Sequence, residues 1–233
     1  MKVTLLANTP NPLAVTEQAA AICYGSTPTT DGRLTHQCYL SGHHTILEPV
    51  CFTFLIENVS RACMAQLTRY RLASFNVQSQ RYCDMKSAMF TVPPTLNNKP
   101  QALQSYLHAL ENCANEYETL QQAGIPNEDA RFILPNACST NIVMTMNLRE
   151  LAHACNQRLC ARSQWEIRYL FKNIVDVVNS ATDNAFAYML VPECEKKPGC
   201  PVCPESKKQS CGKHPRLEDL YEWYNLFHSK GRG

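Results

Sequence analysis

The segment from Arg69 to Tyr82 holds the densest group of side chains that could bind a charged ligand. Its fourteen residues include three arginines, two serines, one asparagine and two glutamines. Guanidinium groups bind phosphates through paired planar donors, and hydroxyls and amides complete such a site or contact the edge of a base. Apolar residues such as Leu72, Phe75 and Val77 are interleaved with the polar ones, which a solvated loop does not require. The segment therefore predicts a strand or turn lining a nucleotide pocket, with a solvated polar loop as the alternative.

The elements that must hold this segment follow from the hydrophobic pattern around it. The run Val50 to Ile56 is apolar and rich in β-forming residues, which predicts a strand. It leads into a helix for which Ser60 is the expected N-terminal cap, so Arg69 lies near the end of that helix. Further upstream, Met1 to Ala7 is predicted as a strand and Leu13 to Tyr24 as a helix.

Helices dominate the second half of the chain. Between Lys99 and Ala123, apolar residues recur at spacings of three and four, which predicts a helix with one buried stripe. A shorter helix is predicted from Asn127 to Leu134, and Thr140 to Met146 is predicted as a strand that feeds a helix from Asn147. A last long helix is expected from Ser163 to Leu190. The chain thus mixes strands and helices in one domain.

Composition and charge exclude several classes of protein. The 233 residues are 45% hydrophobic and 18% charged, which is ordinary for a packed domain and too hydrophobic for a disordered chain. A formal charge of +2 argues against broad binding to nucleic acid or an anionic membrane, because these partners require a strongly basic face. The sequence has neither an apolar run long enough to span a membrane nor a signal peptide, so we expect a cytoplasmic protein.

Four motifs in order resemble those of one enzyme family. The stretch from Arg69 to Tyr82 reads RYRLASFNVQSQRY. It resembles the signature of the flavin-dependent thymidylate synthases, in which Arg-His-Arg is followed at fixed spacing by Ser, Asn, Ser and Arg. Three further stretches match in order: Gly42 to Glu48, Ala130 to Pro135, and Asn147 to Arg168. One such motif is weak evidence, whereas four in order are specific. The similarity covers the chain from Met1 to Leu190.

The resemblance implies a fold, an assembly and two sets of binding residues. The implied subunit is an α+β fold with a central mixed or antiparallel sheet flanked by long helices. Four copies form a homotetramer in which several chains build each active site, holding FAD beside dUMP with room for a folate. The residues implied to bind FAD are Thr45, Glu48, Arg69, Tyr70, Arg71, Asn76, Val77, Asn147, Arg149 and His153. The residues implied to bind dUMP are Gln66, Arg69, Gln78, Ser79, Gln80, Arg81, Arg131 and Arg158.

The reaction that the resemblance implies is reductive methylation of dUMP at C5. NADPH reduces the flavin and methylenetetrahydrofolate supplies the carbon, so the cofactors carry the difficult chemistry. Arg158 is the implied catalytic residue, because it would stabilise the electron-rich uracil as charge moves through N3 and the neighbouring carbonyls. Ser79 has no adjoining histidine or lysine in the motif to activate it, so we interpret it as a binding residue.

Two positions depart from the family's pattern. Tyr70 replaces the central histidine of the signature. Tyrosine is bulkier and has an ordinary pKa of about 10 rather than about 6.5, so it would meet a flavin differently. Val77 stands where the family usually carries Glu or Gln, which removes one polar contact. These changes leave open a variant enzyme that methylates UMP or another pyrimidine nucleotide, or that transfers a hydroxymethyl group.

The composition changes after Pro192 to lysine, proline, glycine and cysteine, so we divide the chain into a catalytic domain, residues 1–192, and an extension, residues 193–233, with a short terminal helix. The chain has 13 cysteines, most of which we expect to be thiols. The extension contains Cys194, Cys200, Cys203 and Cys211. Their Cys-x2-Cys pair is a normal zinc half-site, although a loop of free or paired thiols is the simpler account.

The same cysteines support a rival class of protein. In a zinc-ribbon-like nucleic-acid-binding protein, the arginine-rich segment would contact the phosphates of a polymer. The near-neutral charge opposes this alternative, because such binding is dominated by basic surface. We therefore expect small-molecule partners, with neither nucleic acid nor membrane among them.

Overall fold

The computed structural model describes residues 1–85, 89–197 and 199–222 and contains a four-stranded sheet. The strand order in the sheet is β1-β2-β4-β3. The strands are β1 (Lys2–Asn8), β2 (Cys51–Ser60), β3 (Ala73–Val77) and β4 (Ser139–Asn147). The strands predicted near the N-terminus, after Val50 and after Thr140 are all present. The predicted α+β class is confirmed.

The central strands β2 and β4 run antiparallel. The hydroxyls of Thr53 and Thr145 are 3.0 Å apart, and further along β2 the backbone N–H of Asn58 donates to the side-chain oxygen of Asn141 at 3.0 Å. Residue numbers rise along β2 as they fall along β4, which is the antiparallel arrangement. Each strand buries every second side chain, as expected for a sheet with one packed face. These buried side chains are Phe52, Phe54, Ile56, Ile142, Met144 and Met146.

Besides the helical residues 217–222, seven helices and four short 3₁₀ segments are present in the described part of the chain. The helices are α1 (Pro12–Tyr24), α2 (Arg33–Leu40), α3 (Arg61–Leu67), α4 (Pro100–Gln122), α5 (Asn127–Ala130), α6 (Leu148–Arg158) and α7 (Trp165–Ala181). The 3₁₀ segments are His44–Leu47, Pro94–Leu96, Arg131–Ile133 and Glu193–Glu195. Among the described helices, none has both the length and the apolar character that crossing a membrane would require.

Two predicted helices differ from the structure. The helix expected to continue to Leu190 ends at Ala181, because Asp183 and Asn184 adopt left-handed backbone conformations with φ of 48° and 61°. Short polar residues tolerate this conformation, and it stops the helical hydrogen-bond ladder. The helix expected from Asn127 divides into α5 and the following 3₁₀ segment.

The chain divides into two compact units, which are described separately. The signature unit comprises Met1–Thr4 and Phe54–Met144, and the helical unit comprises Leu5–Thr53 and Thr145–Gly233. The described part of the extension belongs to the helical unit, and residues 217–222 are helical. The expected terminal helix beyond residue 222 lies outside the described residues, and the division after residue 192 stays a prediction.

Each unit has its own buried side chains. In the signature unit, a cluster of Met85, Tyr117, Ala130 and Cys138 is buried. Only part of the apolar stripe predicted for α4 is enclosed, since Leu107 remains 46% exposed. In the helical unit, α7 buries one continuous face, as its spacing predicts. The fully buried side chains of that face are Ile167, Leu170, Phe171, Ile174 and Val178.

Candidate active site

The arginine-rich segment begins where α3 ends. The side chain of Ser60 caps this helix by accepting a backbone N–H of the first turn at 3.0 Å, so the predicted cap is confirmed. After Leu67 the chain turns, and the N–H of Tyr70 donates to the Leu67 carbonyl at 3.2 Å. The turn buries Tyr70 and leaves Arg69 and Arg71 exposed on either side of it. Two of the three arginines are therefore presented at the surface of the signature unit.

Strand β3 carries the interleaved polar and apolar residues on opposite faces. Ser74 and Asn76 are exposed, whereas Ala73, Phe75 and Val77 are half-buried. This alternation is the period of a strand with one packed face, which confirms the strand predicted from the interleaving. Asn76 and Val77 consequently point in opposite directions.

Two side chains fix the turn that follows β3. The Arg61 guanidinium donates to the backbone carbonyl of Gln78 at 2.9 Å, and the Asn141 amide donates to the Gln78 side-chain oxygen at 3.1 Å. Burial lowers the pKa of Arg61, which is half-buried. Arg61 was absent from the sequence-based site. The sequence feature that could have identified Arg61 is its position in the first turn of a helix, where a positive charge is unfavourable because it opposes the helix dipole.

Ser79 forms the hydrogen bonds of a turn. Its hydroxyl accepts the N–H of Arg81 at 3.2 Å, and its carbonyl accepts the N–H of Cys83 at 3.0 Å. Neither partner is a base, which agrees with a binding role. The amide of Gln80 lies 3.6 Å from the sulfur of Cys138, and the amide of Gln66 lies 3.4 Å from a backbone carbonyl of its own helix.

Glu128 brings together two arginines that are expected to bind dUMP. Its carboxylate accepts from Arg81 Nε at 2.8 Å and lies 2.6 Å from Arg81 Nη2. Its backbone carbonyl accepts from Arg131 Nε at 3.0 Å. Arg81 and Glu128 are 47 positions apart in the sequence, so their contact is a result of folding. The carboxylate occupies the paired donors of Arg81 in the way that a phosphate would.

A second group of expected site residues lies in the helical unit. The 3₁₀ segment His44–Leu47 exposes Thr45, and Glu48 follows directly. The Glu48 carboxylate accepts from Arg149 Nη1 at 2.5 Å, and both side chains are about half exposed. The structure thus joins two residues that were expected at the flavin from motifs 101 positions apart.

Helix α6 presents the remaining residues of this group. Asn147 caps the helix by accepting the N–H of Glu150 at 2.9 Å. His153 lies one turn beyond Arg149, and both are exposed. Arg158 is half-buried in the last turn. Asn147, Arg149, His153 and Arg158 therefore lie on one capped helix, which favours precise positioning.

His44, which belongs to the motif Gly42 to Glu48, positions the segment around it. The ring of His44 stacks on Tyr39 with centroids 4.9 Å apart, and its Nε2 lies 3.1 Å from the Tyr39 carbonyl. Burial lowers the pKa of His44, so the neutral form is favoured. His44 therefore holds the segment that presents Thr45, while His43 is exposed.

The four cysteines of the extension have different environments. Cys203 is buried and Cys194 half-buried, whereas Cys200 and Cys211 are exposed. Among the described residues, the group that could hold a metal ion contains Cys194 together with Glu195 and His214. The ligand set predicted from the sequence contained Cys194 but neither Glu195 nor His214.

The architecture and the arginine-rich groups together indicate an α+β nucleotide-binding protein. The model of the family described as "Thymidylate synthase complementing protein" matches residues 4–182. The flavin-dependent thymidylate synthase of Geobacter sulfurreducens is 37% identical over 235 residues, which cover 95% of this chain and 98% of that protein. The enzyme of the same name from Clostridium tetani is 34% identical over 247 residues, with 95% and 97% covered.

A crystal structure shows the same fold. It is the flavin-dependent thymidylate synthase from Helicobacter pylori complexed with FAD and dUMP, which matches with a TM-score of 0.65 at 22% identity, covering 80% of this chain and 99% of that one. The chain belongs to the flavin-dependent thymidylate synthase family, whose members are FAD-dependent enzymes that methylate dUMP to dTMP.

Proposed function

We propose that this chain catalyses the reductive methylation of dUMP at C5, with FAD as bound cofactor, NADPH as the reductant of the flavin and methylenetetrahydrofolate as the carbon donor. The family match across most of the chain supports the reaction. The observation that carries the substrate assignment is that Arg81 and Arg131 both bond to Glu128, Arg81 at its carboxylate and Arg131 at its backbone carbonyl. A phosphate dianion fits a pair of guanidinium groups better than a neutral ligand does.

The dUMP phosphate is assigned to Arg81 and Arg131. On binding, it replaces the Glu128 carboxylate at Arg81, while the Ser79 hydroxyl supplies a further donor. The turn is held by Arg61 before the ligand arrives, which reduces the cost of ordering it. The other residues assigned to dUMP are Gln66, Arg69, Gln78, Gln80 and Arg158.

FAD is assigned to the residues that the family resemblance implies, among them Arg149 and His153. Arg149 and His153 lie one turn apart on α6, and Glu48 fixes the Arg149 guanidinium. The flavin carries the redox chemistry, and the protein orients it. The other residues assigned to FAD are Thr45, Arg69, Tyr70, Arg71, Asn76, Val77 and Asn147.

Arg158 is assigned to the uracil ring. It follows His153 by five residues on α6, a rotation of about 500°, so the two side chains project about 140° apart. They therefore meet different ligands. A guanidinium beside N3 and the adjacent carbonyls stabilises negative charge that develops on the ring during methylation.

The working form is proposed to be a homotetramer in the cytoplasm. Large apolar side chains are exposed on the single chain, including Phe132 at 83% and Ile22 at 72%. Contact between subunits of the proposed tetramer would cover such side chains. The 13 cysteines, all of which lie within the described residues, form no disulfide bond, as suits a reducing compartment.

Flavin content and nucleotide binding test this proposal. The purified protein is expected to show oxidised-flavin absorbance, a tetrameric mass by light scattering, and tighter binding of dUMP than of UMP in equilibrium dialysis. A colourless protein with no affinity for added FAD contradicts the proposal. Preferred binding of UMP supports the variant enzyme, and binding of a DNA or RNA oligomer without flavin supports the rival class.

A further inference from the structure

Three metal-binding donors of the extension lie close together. The Cys194 sulfur, a carboxylate oxygen of Glu195 and an imidazole nitrogen of His214 are all within 4.8 Å of one another. All three residues are partly buried. Around a tetrahedral zinc ion, sulfur, nitrogen and oxygen ligands are separated by roughly 3.3–3.8 Å, so only small side-chain rotations are needed.

Backbone hydrogen bonds tie the donor-bearing segments to each other. The N–H of Val202 donates to the carbonyl of Cys194 at 3.0 Å. The next residue, Cys203, donates its N–H to the carbonyl of Pro215 at 2.8 Å, beside His214. The three segments are therefore fixed relative to each other by the main chain, which preorganises a site in the way that metal ligation requires.

A fourth donor is available from Cys203. Its side chain is 6% exposed. Its backbone pairs with the chain at Arg216, which places Cys203 beside the segment that carries His214. The exposed Cys200 belongs to the same Cys-x2-Cys pair but does not share this environment.

We propose that Cys194, Glu195, Cys203 and His214 hold one zinc ion. Two thiolates with an imidazole and a carboxylate form a donor set that suits tetrahedral zinc. The Lys213 ammonium group binds the Glu195 carboxylate, and the metal would take its place there. The positive charge of the metal would offset the repulsion between two thiolates and a carboxylate. With four protein ligands and no open position, the ion is structural rather than catalytic.

A structural ion explains how this segment is stabilised. In the described part of the extension, Cys203 is the one buried hydrophobic side chain. A segment that buries so little apolar surface gains little free energy from packing, and zinc binding supplies folding free energy directly. An ion pair between Arg162 and Glu205 further joins the extension to the loop before α7.

Metal analysis of the full chain tests the site. Protein expressed with added zinc and purified in reductant is expected to contain about one zinc per chain by plasma mass spectrometry. Cys194→Ser, Cys203→Ser and His214→Ala are expected to lower zinc content at least fivefold. Cys200→Ser and Cys211→Ser are matched controls that are expected to retain it. Glu195→Gln is expected to retain zinc less firmly against a chelator.

Several results would overturn the proposal. One is a wild-type protein that contains no zinc. Another is that Cys200→Ser and Cys211→Ser lose as much zinc as Cys194→Ser does. Because a ligand variant can also fail to fold, cobalt substitution of the wild-type chain gives an independent measurement. Thiolate-to-cobalt charge-transfer bands and tetrahedral ligand-field bands are expected, and cobalt binding without the thiolate bands contradicts the assignment.

Discussion

Replacing Glu128 by Gln should tighten the binding of dUMP. If the phosphate takes the position of the Glu128 carboxylate at Arg81, the enzyme must break this ion pair for each substrate that it binds. The two side chains are 50% and 44% exposed, so the pair is a surface interaction worth about 0.2–1 kcal/mol. Removing the charge while keeping the shape should therefore lower the Kd of dUMP by about 1.4- to 5-fold.

Isothermal titration of dUMP into the FAD-loaded protein measures this effect. Glu116→Gln is the control, because Glu116 is an exposed carboxylate of α4 in the same unit and its replacement changes the net charge equally. The difference between the two variants should shrink at high salt. A Kd that rises in Glu128→Gln, or that falls no further than in Glu116→Gln, refutes the phosphate position at Arg81.

Four further results are expected. Arg158→Lys should keep full FAD but raise the methylation barrier by about 2–4 kcal/mol in single-turnover assays, and wild-type turnover would remove Arg158 from the site. Tyr70→His should retain FAD but lose about 1–3 kcal/mol of the free energy of unfolding in urea titration, because it removes buried aromatic volume. A variant that holds FAD but is inactive would instead show a specific role for the Tyr70 phenol. A chelator should leave the flavin spectrum unchanged, and loss of FAD together with zinc would contradict this. Burial lowers the pKa of His44 in the folded state, so its contribution to the free energy of unfolding should be complete above pH 6.5 and be lost as the pH falls through the lower folded-state pKa. His44→Gln should flatten this dependence of the free energy of unfolding on pH. An unchanged profile would contradict the expectation.

Features that depend on neighbouring residues in the sequence were predictable. Ser60 as a helix cap and the two faces of β3 follow from local hydrogen bonding and from the period of two. The end of α7 was not predictable from its apolar pattern, which continues beyond Ala181. The helix stops because Asp183 and Asn184 adopt a left-handed conformation that most residues avoid and that a periodicity argument does not detect.

Contacts between distant parts of the chain could not be derived from motifs. Glu128 reads as an acidic residue in the first turn of a helix, and its contact with Arg81 depends on tertiary folding. The spacing of Cys200 and Cys203 suggested a pair of ligands, but Cys203 pairs with the segment around Arg216 and faces inward, while Cys200 is exposed. The grouping of Glu195 and His214 with Cys194 depends on this folded arrangement.

Release of the C5 hydrogen from labelled dUMP tests the central claim most directly. With NADPH, methylenetetrahydrofolate and the FAD-loaded protein, tritium from dUMP labelled at C5 is expected to appear in water at the rate at which dTMP forms. Omitting NADPH should prevent sustained turnover, because the flavin is then not reduced again. A flavin-loaded protein that binds dUMP but releases no tritium with all substrates present would contradict the proposed reaction.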